Sequence, residues 1–449
     1  MMMQQKWKRI SFFAIPLILA STIMTVSLPA AAETLEELKA SMAQMQQAMK
    51  AMEQRIAVME KEKAAEVSVQ ETGKKSNKSG GLQIAENTTL SIYGYTKLDV
   101  LYTDTGGGGK YNFVPKLVPL DSERDGLADN AFTMHARESR IGFTTGTATD
   151  YGQFNTRIEA DFYGSEGNER TANSHGLRLR LAYAELGNLR VGQDWSTFVD
   201  SSAYPEYVDF GHAVGRLFVL QPLIRWTQPF TGGSWQLALE NPESFFLSKT
   251  VEDDGSYTNT TLNGNGSDEY IPDIIARVNL QPGYGHYSVA VIARHFSYDD
   301  GLIDDTAWTT AISANAVLPT FGKDTVNMAL NYGTGLGRYM RADFDDAFID
   351  PVNNSIQTNV QLGMFVGYRH FWLDSLRSSL VYSYAGRDND LSYVTASADK
   401  SYQSVHANIF WSPIPRVDIG LEYIWGYREV ENGEDGDMNR VQGGFKFKF

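Results

Sequence analysis

The stretch that most constrains this chain is its end, Val441-Gln442-Gly443-Gly444-Phe445-Lys446-Phe447-Lys448-Phe449. Side chains alternate across an extended strand, so Phe445, Phe447 and Phe449 share one face while Lys446 and Lys448 share the other. A strand that is aromatic on one face and charged on the other suits a barrel wall between lipid and water. An edge strand of a soluble sandwich is the alternative.

Composition favours the barrel. The 449 residues include 23 Tyr, 23 Phe, 8 Trp and 40 Gly, yet mean hydropathy is −0.31 and no long apolar run follows the first thirty residues. Strands that alternate apolar and polar residues average out in this way, whereas membrane helices do not. The absence of Cys excludes disulfides, thiolate metal sites and thiol catalysis. A formal net charge of −15 argues against nucleic acid as a partner.

Residues 1–32 have the plan of a secretory signal peptide: basic Lys6, Lys8 and Arg9, an apolar core from Ile10 to Leu28, then Ala30-Ala31-Ala32 before Glu33. A retained membrane anchor is disfavoured by Pro16 and by the Ser and Thr residues in the core. In residues 33–62, Leu35, Leu38, Met42, Met45, Met49, Met52, Ile56 and Met59 alternate spacings of three and four, which keeps them on one seam. This predicts a coiled coil, and a helix of this length that cannot bury its seam alone implies partners. Met leaves the number of strands poorly specified, and a monomeric helix on the barrel mouth is the alternative. Residues 63–88 lose the periodicity and, around 73–81, read as a basic, flexible linker. A solvated tether is favoured there over contact with an acidic cell-wall polymer.

Residues 89–449 read as an all-β transmembrane barrel of about 16 antiparallel strands. The segments include 89–103, 132–146, 152–163, 176–186, 188–193, 217–230, 284–296, 307–318 and 355–370. Short turns at Thr149-Asp150-Tyr151-Gly152, Gly187-Asn188, Gln281-Pro282-Gly283 and Ser412-Pro413-Ile414-Pro415 alternate with long loops at 104–130, 242–270, 335–354 and 387–401. Both ends of the barrel domain then fall on the short-turn side, the periplasmic one.

Strand phase gives the lumen. In 153–163, Arg157, Glu159 and Asp161 share a face opposite Phe154, Ile158 and Phe162. In 177–184, Leu177, Leu179, Leu181 and Tyr183 alternate with Arg178 and Arg180. An Arg on the lipid face near midplane costs about 2–4 kcal/mol, so both guanidinium groups are expected inside. The same phase adds Arg140, Arg190, Arg225, Arg277, Arg294 and Arg369. The basic wall of an acidic protein points to an anion preference, because wall charges act across a narrow pore while outer-loop acids are screened over about 8 Å. Arginines that only satisfy wall carboxylates are the alternative. The stretch Trp195–Leu217 is too aromatic for open water and, as the third outward loop, is expected to fold inward and narrow the channel. Its candidate residues are Phe198, Asp200, Tyr204, Glu206, Asp209 and Arg216; packing on a neighbouring subunit is the other reading.

An aromatic final residue resembles the closing strand of Gram-negative outer-membrane barrels, where it is an assembly signal. The signal peptide with a Met-rich coil, Ser91-Ile92-Tyr93-Gly94-Tyr95-Thr96-Lys97-Leu98-Asp99, Arg137-Glu138-Ser139-Arg140-Ile141-Gly142-Phe143 and Arg190-Val191-Gly192-Gln193-Asp194-Trp195-Ser196-Thr197-Phe198 together resemble the DcaP-like porins over essentially the whole chain. The resemblance implies a homotrimer in outer-membrane lipid and lipopolysaccharide, a periplasmic coiled coil, an inward third loop and passage of small anions, dicarboxylates in particular. Asp200, Glu206 and Asp209 depart from a simple anion path. They keep open a general or cation-tolerant porin, as well as a structural barrel tethering the outer membrane to the cell wall.

No catalytic role, cofactor or metal is expected. His135, His175, His212, His286, His295, His370 and His406 show no metal spacing, no Gly-x-Ser-x-Gly elbow occurs, and Glu434-Asp435-Gly436-Asp437 lacks the calcium-loop pattern.

Overall fold

The computed structural model describes residues 81–165, 167, 169–251, 256–262, 269–350 and 352–449, all within the compact unit Ser79–Phe449. The signal peptide, the coiled-coil seam and the linker up to residue 80 lie outside the described residues. Among the described residues no helix is long and apolar enough to cross a membrane; strands provide the wall.

Sixteen antiparallel strands close into a barrel. They are β1 Thr88–Thr103, β2 in two pieces Ala131–His135 and Arg140–Thr149, β3 Gly152–Asp161, β4 Arg178–Leu186, β5 Leu189–Trp195, β6 Leu220–Phe230, β7 Gly233–Glu240, β8 Asp273–Leu280, β9 His286–Asp299, β10 Asp304–Pro319, β11 Thr325–Thr334, β12 Val360–Leu373, β13 Leu376–Arg387, β14 Asp399–Ile414, β15 Val417–Val430 and β16 Asp435–Lys448. Closure is between β1 and β16, with Tyr95 opposite Lys448 and Thr103 opposite Arg440. Phe445, Phe447 and Phe449 are exposed on the outer wall, while Lys446 and Lys448 reach Glu138 (3.5 Å) and Asp418 (2.5 Å). Ile92, Phe143, Ile158, Leu179, Ile224, Leu237 and Val291 continue the apolar outer surface, as lipid requires.

Several boundaries differ from the sequence expectation. A short strand, Leu82–Ala85, pairs with Thr88–Leu90, so the end of the expected linker is already sheet. The expected strand 132–146 is broken at 136–139, where Glu138 turns inward to the buried Lys97 and the Ser139 hydroxyl accepts from Lys97 N at 3.0 Å. A desolvated ammonium demands a carboxylate, and the break supplies one. The expected 355–370 is two elements, because Ser355–Thr358 joins a small loop sheet with Phe246–Val251, Tyr257–Leu262 and Ala347–Asp350. The hairpin β9–β10 runs to Asp299 and Asp304, beyond the expected ends at 296 and 307.

The lumen is partly filled. Phe113 and Val118 of the 104–130 loop, Phe198, Val199, Val214 and Leu217 of the 196–219 loop, and Leu336, Tyr339, Met340 and Phe344 of the 335–359 loop form one buried apolar cluster. It packs against Ala385, Tyr402, Ile424 and Met438 of β13–β16. This interior core leaves the β2–β8 side of the lumen for a polar cavity.

Candidate functional site

The 196–219 loop departs from β5 and reaches the far wall. Arg277 Nη1 donates to Val199 O at 2.7 Å, Asn327 Nδ2 to Ala203 O at 3.1 Å, and Asn331 Nδ2 to Gly215 O at 3.0 Å. Val214 N donates to Ser383 Oγ at 3.2 Å, Asn408 Nδ2 to Glu206 O at 2.7 Å, Val208 N to Glu422 Oε2 at 2.6 Å and Lys97 Nζ to Val208 O at 2.6 Å. Inward side chains of β1, β8, β11, β13, β14 and β15 thus satisfy the backbone of an irregular segment buried in the lumen.

Beside the loop lies a cavity of about 530 Å3 lined by Arg140, Arg157, Arg180, Arg190, Arg225 and Arg277. Only two carboxylates, Glu159 and Asp194, share its lining. Glu159 accepts from Arg180 Nε (3.0 Å), Arg157 Nη2 (2.9 Å) and Tyr93 OH (2.9 Å), with Arg140 Nη1 at 3.3 Å. Asp194 Oδ2 takes both Arg190 Nη1 and Arg225 Nη2 at 2.6 Å, and Arg190 also pairs with Glu185. Each lining carboxylate therefore holds two or more guanidinium groups in place, and Asp161, Glu185 and Asp200 back Arg180, Arg190 and Arg277 from outside the lining or from the loop. The side chains of Arg157, Arg190 and Arg140 keep 36%, 25% and 19% of their surface exposed, against 3% for Arg180. The first three can meet a solute; Arg180 braces the wall.

Of the loop acids, Asp200 pairs with two residues of the cavity lining, whereas Glu206 and Asp209 are turned elsewhere. Asp200 takes Arg277 Nη2 at 2.9 Å, His286 Nε2 at 2.7 Å and the Ser288 hydroxyl at 2.6 Å. Burial raises the Asp200 carboxyl, but Arg277, Ser288 and His286 outweigh it and hold it below the usual value. Glu206 binds Arg377 through both oxygens, at 2.6 and 2.5 Å. Asp209 is fully buried and accepts from Phe113 N (3.0 Å) and His212 N (2.9 Å). Phe198 is buried edge-on against Tyr339 at 5.7 Å, and the Tyr204 hydroxyl donates to Leu217 O at 2.5 Å. Arg216 is buried within the loop.

Three expected lumen arginines lie outside this cavity. Arg294 is 1% exposed between Asp273 (3.3 Å) and Asp346 (2.5 Å), because the 335–359 loop folds back over β9. Arg178 is outside the cavity lining and grips Asp161 at 3.0 and 2.7 Å. Arg369 lies towards the short-turn end of β12, opposite Thr325, with Phe371 5.4 Å away. The phase of 177–184 also changes: Glu159 pairs with Leu181 while Ala160 pairs with Leu179, leaving Arg180 as an extra residue. This bulge turns Leu181 and Tyr183 into the cavity, whereas the expectation put them with Leu177 and Leu179, which stay outside. The sequence reading also left out Gln236, Asn279 and His286 as lining residues; the period of two along β7–β9 was the available signal.

Residues 24–449 match the family described as DcaP outer membrane protein. The chain belongs to that family. Its barrel is accordingly one of the outer membrane. The crystal structure of the outer membrane channel DcaP of Acinetobacter baumannii superimposes with a TM-score of 0.70 at 23% identity, covering 83% of this chain and 100% of that one. An anion-selective porin from Comamonas acidovorans shares the fold at a TM-score of 0.52 and 11% identity, over 81% of this chain and 100% of that one. Porin Omp2b of Brucella suis is 27% identical over 239 residues, 50% of this chain and 55% of that protein. This DcaP-family chain thus spans about half the length of the curated relatives it matches.

Proposed function

We propose that this DcaP-family barrel is a diffusion channel for small hydrophilic solutes that prefers anions, with dicarboxylates as its favoured class. The observation that carries the reading is six guanidinium groups against two carboxylates on one cavity wall. Glu206 and Asp209 do not offset that excess, being committed to Arg377 and to backbone N–H groups, whereas Asp200 offsets Arg277 and Glu185 part of Arg190, so that Arg140, Arg157 and Arg225 with the braced Arg180 carry the surplus over Glu159 and Asp194. Two sets of arginines, Arg140 and Arg157 from β2 and β3, and Arg190 and Arg225 from β5 and β6, flank the same space. Two separated cationic sets suit a solute carrying two carboxylates, each replacing part of its hydration by guanidinium contacts. Weak binding is required, because a conducting site must release its solute.

We also propose a homotrimer joined by residues 33–62, whose seam needs partners. Removing 33–62 and measuring mass in detergent checks this; an unchanged trimer refutes the role of the segment.

The channel reading is tested by chloride current through planar bilayers as succinate is added. Current falls in the wild type and falls less in the variant Arg157→Gln/Arg190→Gln. Equal inhibition of both would refute the assignment of these residues.

A further inference from the structure

Arg216 is 1% exposed, yet its Nε and Nη2 have no hydrogen-bond partner and no carboxylate lies within ion-pairing distance among the described residues. The guanidinium is packed on aromatic faces, 4.5 Å from the Tyr204 ring centre and 5.0 Å from that of Phe218. Ring quadrupoles attract a cation but do not neutralise it. The carboxylates of the same loop are committed elsewhere: Asp209 to two backbone N–H groups, Glu206 to Arg377 and Asp200 to Arg277. The facing 335–359 segment offers no counter-charge: Arg341 N donates to Arg216 O at 2.7 Å, and the nearby Asp343 is taken by the Arg341 guanidinium at 3.2 Å.

Two more orphaned polar atoms lie in the same loop. The Tyr207 hydroxyl and His212 Nδ1 are buried without partners, and their rings lie 4.7 Å apart. A chain of ring contacts, His212 to Phe210 at 6.1 Å and Phe210 to Phe218 at 6.0 Å, joins them to the rings around Arg216. A guanidinium offers donors only, a phenol can donate, and imidazole Nδ1 donates in one tautomer. A donor-rich, positively charged group of side chains calls for a guest that only accepts and carries negative charge. Water would satisfy geometry but leave the charge unopposed.

We propose that the 196–219 loop holds one small monovalent anion, a halide or the carboxylate of a short acid, on Arg216, on the side of the Tyr207 and His212 rings. Burial pushes the Arg216 guanidinium down to about 10, with Tyr204 opposing, so the cation persists at neutral pH. Entry is from the lumen through the half-buried Phe210, His212 and Phe218; Phe218 packs against the cavity-lining Trp195 at 5.0 Å. The anion would be a fixed part of the loop, distinct from solutes passing the arginine wall.

Crystals of the full-length protein soaked in sodium bromide and measured at the bromine edge test this directly. An anomalous peak in contact with Arg216 is expected; no peak there overturns the proposal. Thermal unfolding in chloride, against a bulky organic sulfonate at equal ionic strength, gives a second reading. At tenfold the dissociation constant of chloride, the melting temperature should rise by about 1.5–2 °C. The rise should vanish in Arg216→Gln and shrink in Tyr207→Phe, and an equal rise in Arg216→Gln overturns the assignment. Both measurements are at equilibrium, so a cation-selective pore carrying bromide on Arg216 would refute the channel reading and leave this one standing.

Discussion

Gly215→Ala should release the constriction loop while leaving the barrel closed. A Cβ built on Gly215 lies 2.3 Å from Tyr384 O, 2.4 Å from Met364 N and 2.5 Å from Met364 O. Ordinary carbon contacts begin near 3.5 Å, so loop and wall must separate by about 1 Å. That movement breaks the bonds from Asn331 Nδ2 to Gly215 O and from Val214 N to Ser383 Oγ. Each buried group left unpaired costs about 1–3 kcal/mol, so the loop's attachment weakens by about 2–6 kcal/mol. The strands of the wall keep their own ladder bonds, so heat-modifiable migration of the folded barrel should persist. Single-channel recording should show larger and noisier openings, and liposome swelling should admit larger sugars. Gly443→Ala, where an added Cβ meets nothing within 4 Å, is the control and should match the wild type. Wild-type conductance and noise in Gly215→Ala would refute this account of how the loop is held.

Other outcomes follow from the same geometry. Arg294→Gln leaves Asp273 and Asp346 buried without their cation and should cost about 3–5 kcal/mol in thermal or denaturant unfolding; its ion preference should equal that of the wild type, because Arg294 does not line the cavity. Leu179→Arg puts a charge on the outer wall and should destabilise by about 2–4 kcal/mol in lipid refolding. Leu181→Gln, beyond the bulge and facing the cavity, should cost less; the reverse order would disprove the bulge. Burial pushes the Glu269 carboxyl in the 241–272 loop up from 4.5 to about 7, Glu243 and Asp346 adding to the effect and Arg294 opposing it. The folded loop therefore binds more protons than the unfolded one between these values, and its stability falls as pH rises through them. Hydrogen exchange in this loop, corrected for intrinsic rates, should speed up across that window and be flat in Glu269→Gln.

Much of the barrel was legible because lipid enforces a simple rule. Phe445 and Lys446, or Ile158 and Arg157, can be told apart by phase alone, since the wrong face costs kilocalories. The rule failed at Arg180, where an extra residue reverses the phase of Leu181 and Tyr183 without any Gly or Pro to announce it. It also could not separate Arg294 from Arg157. Both point inward, but the 335–359 loop covers the first with Asp346 and leaves the second beside open space. Loop folding over a wall is a long-range event with no period in the sequence. The same holds for Asp200, Glu206 and Asp209: their charge was visible, but their partners Arg277, Arg377 and Phe113 N lie far away in the chain.

The central claim is that the arginine wall sets the ion preference of the lumen. The zero-current potential of the purified protein in a planar bilayer under a KCl gradient tests it most directly. The account predicts the sign of chloride over potassium, reduced towards zero in Arg157→Gln/Arg190→Gln/Arg225→Gln. A potential of potassium-selective sign in the wild type would contradict it.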